Sequence, residues 1–83
     1  MINNNIQIGE LYRYKSTFND NAALKNIKND NFIRDLNDGE LFLLLEMEQH
    51  IVYLEFYTLT ILLENQVYKV GLVDLNKELE LVK

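Results

Sequence analysis

The sequence predicts a small, mainly all-β domain, and three features predict it. Between Tyr57 and Val73, "YTLTILLENQVYKVGLV", two apolar runs rich in Thr, Tyr, Ile and Val flank a short polar turn, the layout of a β-hairpin. In "ELFLLLEMEQ", Glu40 to Gln49, the residues Leu41, Leu43, Leu45 and Met47 fall on one wholly apolar face at a period of two. The Leu, Glu and Met of Glu40 to Glu48 also favour a helix, but apolar residues from Leu41 to Leu63 would occupy every side of a helical wheel.

The elements follow in order. "IQIGELYRY", residues 6–14, places Ile6 and Ile8 on one strand face, and Gly9 interrupts it with a bulge or bend before Leu11, Tyr12 and Tyr14. From Lys15 to Asn31 the chain is polar and Asn-rich, which predicts a long loop; a short helix within 20–37 is the second reading, with Asp20 as its cap and Ala23, Leu24 and Ile27 on one side. In "DNFIRDLNDG", Asp30 to Gly39, the spacing of Phe32, Ile33 and Leu36 suits a helical turn as well as an irregular strand, and Asn-Asp-Gly signals a turn.

The strand from Glu40 has a second face, Phe42, Leu44, Glu46 and Glu48, apolar at one end and acidic at the other, so its start is covered on both sides and its end faces water. Gln49 and His50 mark a bend. In the hairpin, a two-residue loop at Asn65-Gln66 pairs Leu63 with Tyr68, Ile61 with Val70 and Leu59 with Leu72, giving one apolar face. "DLNKE" then forms a single 3₁₀ turn near residues 74–78 with Asp74 as cap and Leu75 inward, and "LELV" closes the chain as a short strand.

The chain has 83 residues, enough for one domain that buries on the order of 60% of its unfolded surface. With no cysteine, disulfides, thiolate zinc sites and thiol catalysis are excluded, and with one histidine any metal site needs carboxylates. A formal net charge of -5 opposes non-specific binding to phosphate backbones, so duplex nucleic acid is not an expected partner. No charged-then-apolar leader follows Met1, and the longest apolar run, Leu41 to Leu45, is far short of the roughly 20 residues that cross a bilayer. The expectation is a cytoplasmic protein without a membrane partner.

The order strand, long loop, three strands with a tight hairpin, helical turn and short strand resembles the SH3-like small β-barrel, where a lone 3₁₀ turn separates the last two strands. "ELYRYKS", Glu10 to Ser16, is similar to the Ala-Leu-Tyr-Asp-Tyr box that leads into the long first loop of SH3 domains, with Leu11, Tyr12 and Tyr14 on its apolar and aromatic positions. The hairpin and "VDLNKELELV" look like the C-terminal half of short SH3-like proteins found among bacteriophage genes. The resemblance implies a five-stranded barrel over residues 1–83, with Tyr12 and Tyr14 lining a groove for an extended peptide, in the host cytoplasm or the virion if phage-encoded. The chain lacks the tryptophan of the proline-binding SH3 site and the Pro and Tyr near its 3₁₀ turn, so proline-rich peptides are not implied.

Several residues invite a functional reading. Tyr12 and Tyr14, together with Tyr53 and Phe56, are the candidate partner-binding residues, since aromatic side chains supply contact area at low entropic cost; tyrosines at alternate strand positions also commonly shield a barrel's outer face or fill its end. The apolar excess of "LFLLLEM" and "HIVYLEFY" exceeds what one barrel can bury, which points to a protein partner or a homo-oligomer. Lys25, Lys28 and Arg34 are a second, basic candidate for a nucleic-acid-associated barrel, diluted by Asp20, Asp30 and Asp35. His50 reads as a turn residue, and Glu46 and Glu48 as an acidic edge that discourages sheet-to-sheet association. No activated nucleophile, phosphate-binding glycine loop or third group to tune an acid-base pair is visible, so no catalytic residue, cofactor or metal is assigned and an enzyme is not expected.

Overall fold

The five expected strands form, the first only over Leu11–Tyr14 and not from Ile6, and two more precede the strand from Leu41: one within the stretch assigned to a loop and one, Phe32–Asp35, where an irregular strand was one of two readings. The computed structural model describes residues 6–17 and 22–82. In chain order the strands are β1 (Leu11–Tyr14), β2 (Ala23–Asn26), β3 (Phe32–Asp35), β4 (Leu41–Gln49), β5 (Tyr57–Leu63), β6 (Gln66–Leu72) and β7 (Leu79–Leu81), with one short helix, α1 (Leu75–Glu78), before the last strand. They make one antiparallel seven-stranded sheet in the order β3-β2-β6-β5-β4-β1-β7.

The β5–β6 hairpin differs from expectation by a slip that preserves its faces. Its turn residues are Glu64 and Asn65, with φ of 52° and 66°, so Leu63 pairs with Gln66, Ile61 with Tyr68 and Leu59 with Val70. Two positive-φ residues in succession match the strand twist of a two-residue hairpin, and this register spares Gln66 that conformation. Each partner moves by an even number of residues, so no side chain changes side. Leu59, Ile61, Leu63, Val70 and Leu72 are all buried, and Tyr68 packs at the margin of the same core.

β4 departs from simple alternation. Its register with β5 shifts between Leu44 and Glu46, so Leu45 is the extra residue of a bulge. Phe42 and Leu44 face the core before the bulge and Met47 faces it afterwards, while Glu46 and Glu48 stay exposed. The expected Leu41-Leu43-Leu45-Met47 face therefore divides: Leu41 and Leu43 lie outside, and only Met47 is inward.

Ala23–Asn26 is a strand where a loop or helix was expected, and Phe32–Asp35 takes the strand reading over the helical-turn one, so the two form a hairpin; Asp20, the suggested helix cap, lies outside the described residues. The asparagines that spoke for a loop build its turn. Asn26 Oδ1 accepts from Lys28 N–H at 2.7 Å, Asn29 Oδ1 accepts from Asn31 N–H at 2.9 Å, and Asp30 takes a φ of 60°. Arg34 fastens this hairpin to the rest of the sheet through a two-pronged pair with Glu40 at 2.8 and 2.9 Å and a longer contact to Glu64 at 3.4 Å.

In place of the expected 3₁₀ turn stands a turn of α-helix, α1, four residues long, with Glu78 N–H donating to Asp74 O at 2.9 Å and Leu79 N–H to Leu75 O. Asp74 caps it, Leu75 is buried, and the buried Glu78 carboxylate accepts the Val73 and Asp74 N–H groups at 3.0 and 3.1 Å. β7 then lies beside β1, pairing Tyr12 with Leu81 and Tyr14 with Leu79.

A flat sheet of this many strands would be about 29 Å wide and thin in its third dimension. The molecule measures 32 × 30 × 26 Å, so the sheet curls around its buried face. The outermost strands β3 and β7 are not hydrogen-bonded to each other, so the sheet is open, and the expected closed five-stranded barrel gives way to a curled seven-stranded one.

Candidate functional site

The connection between β4 and β5, residues 50–56, holds four consecutive large apolar side chains out of the core. Ile51, Val52, Tyr53 and Leu54 are 89%, 72%, 63% and 59% exposed. Their exposure is not the result of a loose backbone. His50 N–H donates to Phe56 O at 2.8 Å, Phe56 N–H donates to Tyr53 O at 2.9 Å, and the Gln49 side-chain amide donates to Leu54 O at 2.6 Å. His50 Nδ1 accepts from both Val52 and Tyr53 N–H at 3.1 Å, so the neutral ring carries its proton on Nε2. The polar side chains of Gln49 and His50 thus bond the backbone at Val52, Tyr53 and Leu54, and the apolar ones are turned to water.

Alternation along β6 fixes where Phe56 goes. Val70 and Leu72 face the core, so Gly71 faces outward, and a Cβ there would lie 2.7 Å from Phe56 Cζ. The Phe56 ring covers the outer surface at Gly71, a place open to it because no side chain stands there. The His50 ring lies 5.3 Å from that of Tyr53 and meets Phe56 edge-on at 6.1 Å. With Glu55 and Val73 these three rings line an open depression of about 380 Å³.

One residue of its lining, Glu55, is a carboxylate. Glu48 pairs with Thr58, which pairs with Gly71, so Glu48 stands in the same outer row as the residue under Phe56. Glu46 occupies the next outer row, with Thr60 and Lys69. No ion pair forms at Glu46, Glu48 or Glu55 among the described residues.

Of the four sequence-predicted partner-binding residues, the structure brings two together. Tyr53 and Phe56 both line the depression. Tyr12 and Tyr14 are corrected: each is 1% exposed, on the inner face of β1, where Tyr12 packs against Phe42 at 6.4 Å and its hydroxyl accepts from Gln7 N–H at 2.8 Å. Arg13, between them, takes the outer face and pairs with Glu80 at 3.0 Å. The two tyrosines therefore fill the core and offer no groove.

Lys25, Lys28 and Arg34 do not form a basic surface together. Arg34 is committed to Glu40 and Glu64, an arrangement that raises its pKa and holds the Glu40 carboxyl below its ordinary value. Lys69, opposite Lys25, pairs with Asp30 at 2.9 Å, and that hydrogen bond lowers the Asp30 pKa. Lys28 sits in the β2–β3 turn.

Sequence reasoning placed His50 at a bend but missed its joining of Tyr53 and Phe56, and it missed Glu55, Gly71 and Val73. The available signal was an apolar run, "IVYL", between a strand end and a strand start, which is the wrong place for core residues. Among the described residues no helix is long and apolar enough to cross a membrane. Compared with family models, curated proteins and solved structures, the chain matches none.

Proposed function

We propose that the chain is a non-enzymatic interaction module that docks on a protein partner through the 50–56 connection and the depression behind it. The observation that carries this is the run Ile51 to Leu54, exposed on a backbone that hydrogen bonds hold at Val52, Tyr53, Leu54 and Phe56. An apolar segment costs free energy in water, and a sequence that wanted only a β4–β5 connection would use polar turn residues. Holding the segment in one conformation before binding reduces the entropy lost on association.

An SH3-like path is part of the proposal. It is supported by the β4–β5–β6 meander, the long excursion between β1 and β4, the helical turn after β6 and the return of β7 beside β1. The excursion here is a hairpin added to the β6 edge.

The test is an environment-sensitive apolar dye with light scattering, on the chain and on a variant carrying Ile51→Ser and Leu54→Ser. The proposal expects dye fluorescence with the chain and its loss in the variant at unchanged fold. A monodisperse monomer that binds no dye contradicts it.

A further inference from the structure

We infer that the depression walled by Tyr53, Phe56 and His50 receives a cationic side chain of the protein partner, arginine in preference to lysine; this rests on the docking reading above. Three features of the depression point the same way. Its walls are aromatic, and the faces of such rings attract cations through their quadrupoles. Glu55 is part of its lining, and Glu48 lies along the same outer row, about 10 Å from Gly71 across two strand spacings. Neither carboxylate has an ion pair among the described residues, so a positive group arriving there displaces no existing one.

Size and charge select the occupant. A volume of about 380 Å³, open on one side, lies at the low end of small-molecule pockets and suits a single long side chain. A second copy of this chain is disfavoured, because a symmetric contact would bring the same unpaired glutamates of two molecules of net charge -5 together. Between the two basic side chains, the planar guanidinium stacks on a ring while donating two hydrogen bonds to a carboxylate, which an ammonium cannot do in one plane. The neighbouring Ile51, Val52 and Leu54 would then meet apolar groups next to that arginine.

The experiment titrates the isotope-labelled full chain with blocked hexapeptides that alternate leucine with arginine, lysine, glutamine or glutamate, followed by amide and aromatic NMR shifts. The inference expects the arginine peptide to move the resonances of Tyr53, Phe56 and Val73 and to bind at least tenfold more tightly than the glutamine peptide, with lysine between them. Glu55→Gln should weaken the arginine peptide severalfold, and Tyr53→Ala should remove its binding. Both residues are exposed, so unchanged β5 and β6 shifts certify the fold of the variants. Equal binding of arginine and glutamine peptides at these residues overturns the cation inference and leaves the docking surface standing. Shifts scattered over other carboxylates overturn it too, and no binding of any peptide overturns both readings.

Discussion

Gly71 and Phe56 act as one unit at the scale of single residues. Alanine suits a strand better than glycine by about 0.5–1 kcal/mol, yet here its methyl meets the tip of the Phe56 ring at 2.7 Å. The ring is the far end of a side chain and can move, so Gly71→Ala should cost only about 1 kcal/mol and displace the ring from the outer face. In a Phe56→Ala background the same change should be neutral or stabilising. Urea melts of the four proteins in this cycle check the reversal of sign.

Glu78 presents the opposite case, a carboxylate kept inside. Glu78→Ala would leave the Val73 and Asp74 N–H groups without the acceptor they have at 3.0 and 3.1 Å, and should destabilise by on the order of 2 kcal/mol or more. Glu78→Gln retains an acceptor and should cost less, by the same melts.

Arg34 and Glu40 give the molecule a pH dependence. The Arg34 hydrogen bond favours ionised Glu40, so its folded pKa lies below the ordinary 4.5. The stabilisation is complete above that ordinary value and is lost as pH falls through the lower, folded one. Because the pair is partly exposed, its worth is about 1 kcal/mol at most. Glu40→Gln should remove that much at neutral pH and flatten the acid limb of the stability curve between the two values.

Among the elements, the β5–β6 turn offers the clearest gain. Glu64 occupies a left-handed conformation that L-residues with long side chains disfavour, and Asn65 tolerates the same conformation better. Replacing the pair by Asn-Gly, through Glu64→Asn and Asn65→Gly, should stabilise by about 1 kcal/mol and raise Tm by about 4–8 °C, less the small loss of the Arg34–Glu64 contact.

Elements differ in how far the sequence announces them. β5, β6 and α1 are legible because Thr, Ile, Tyr and Val crowd two apolar runs around a polar turn and Asp74 stands where a cap belongs. β2 is not, since its four residues lie in an Asn-rich polar stretch with only Leu24 fully buried, and β3 is legible only as one of two readings, because Phe32 and Ile33 are both exposed and no burial imprints a period of two on it. The bulge at Leu45 is hidden for a related reason: a leucine fits either face, and only the register with β5 shows which residue is extra. For β1, Arg13 between Tyr12 and Tyr14 marks the outward side, which leaves both tyrosines on the inner one. The candidate site was half legible, as Tyr53 and Phe56 stand out in an apolar run, whereas their meeting with Val73 and Gly71 depends on pairing across strands.

For the molecule as a whole, a single curled sheet places some aromatic side chains inside and others outside. Tyr12, Tyr14, Phe42 and Tyr57 are enclosed, while Tyr53 and Phe56 stand at the outer surface beside unpaired glutamates. If the outer set serves binding and the inner set stability, the two should separate by mutation. Joint replacement of Ile51, Val52, Tyr53 and Leu54 by Ser or Thr should change unfolding free energy by no more than about 0.5 kcal/mol per site while removing dye and peptide binding. Tyr14→Ala should cost about 3–5 kcal/mol and threaten the fold itself.

The account depends on the fold holding the 50–56 connection outward in one ordered conformation. Backbone ¹⁵N relaxation tests this directly at the amides of Val52, Tyr53 and Phe56. Order parameters of about 0.85, like those of β5 and β6, are the predicted result, and values below about 0.6 would mean a flexible loop with no docking surface built on it.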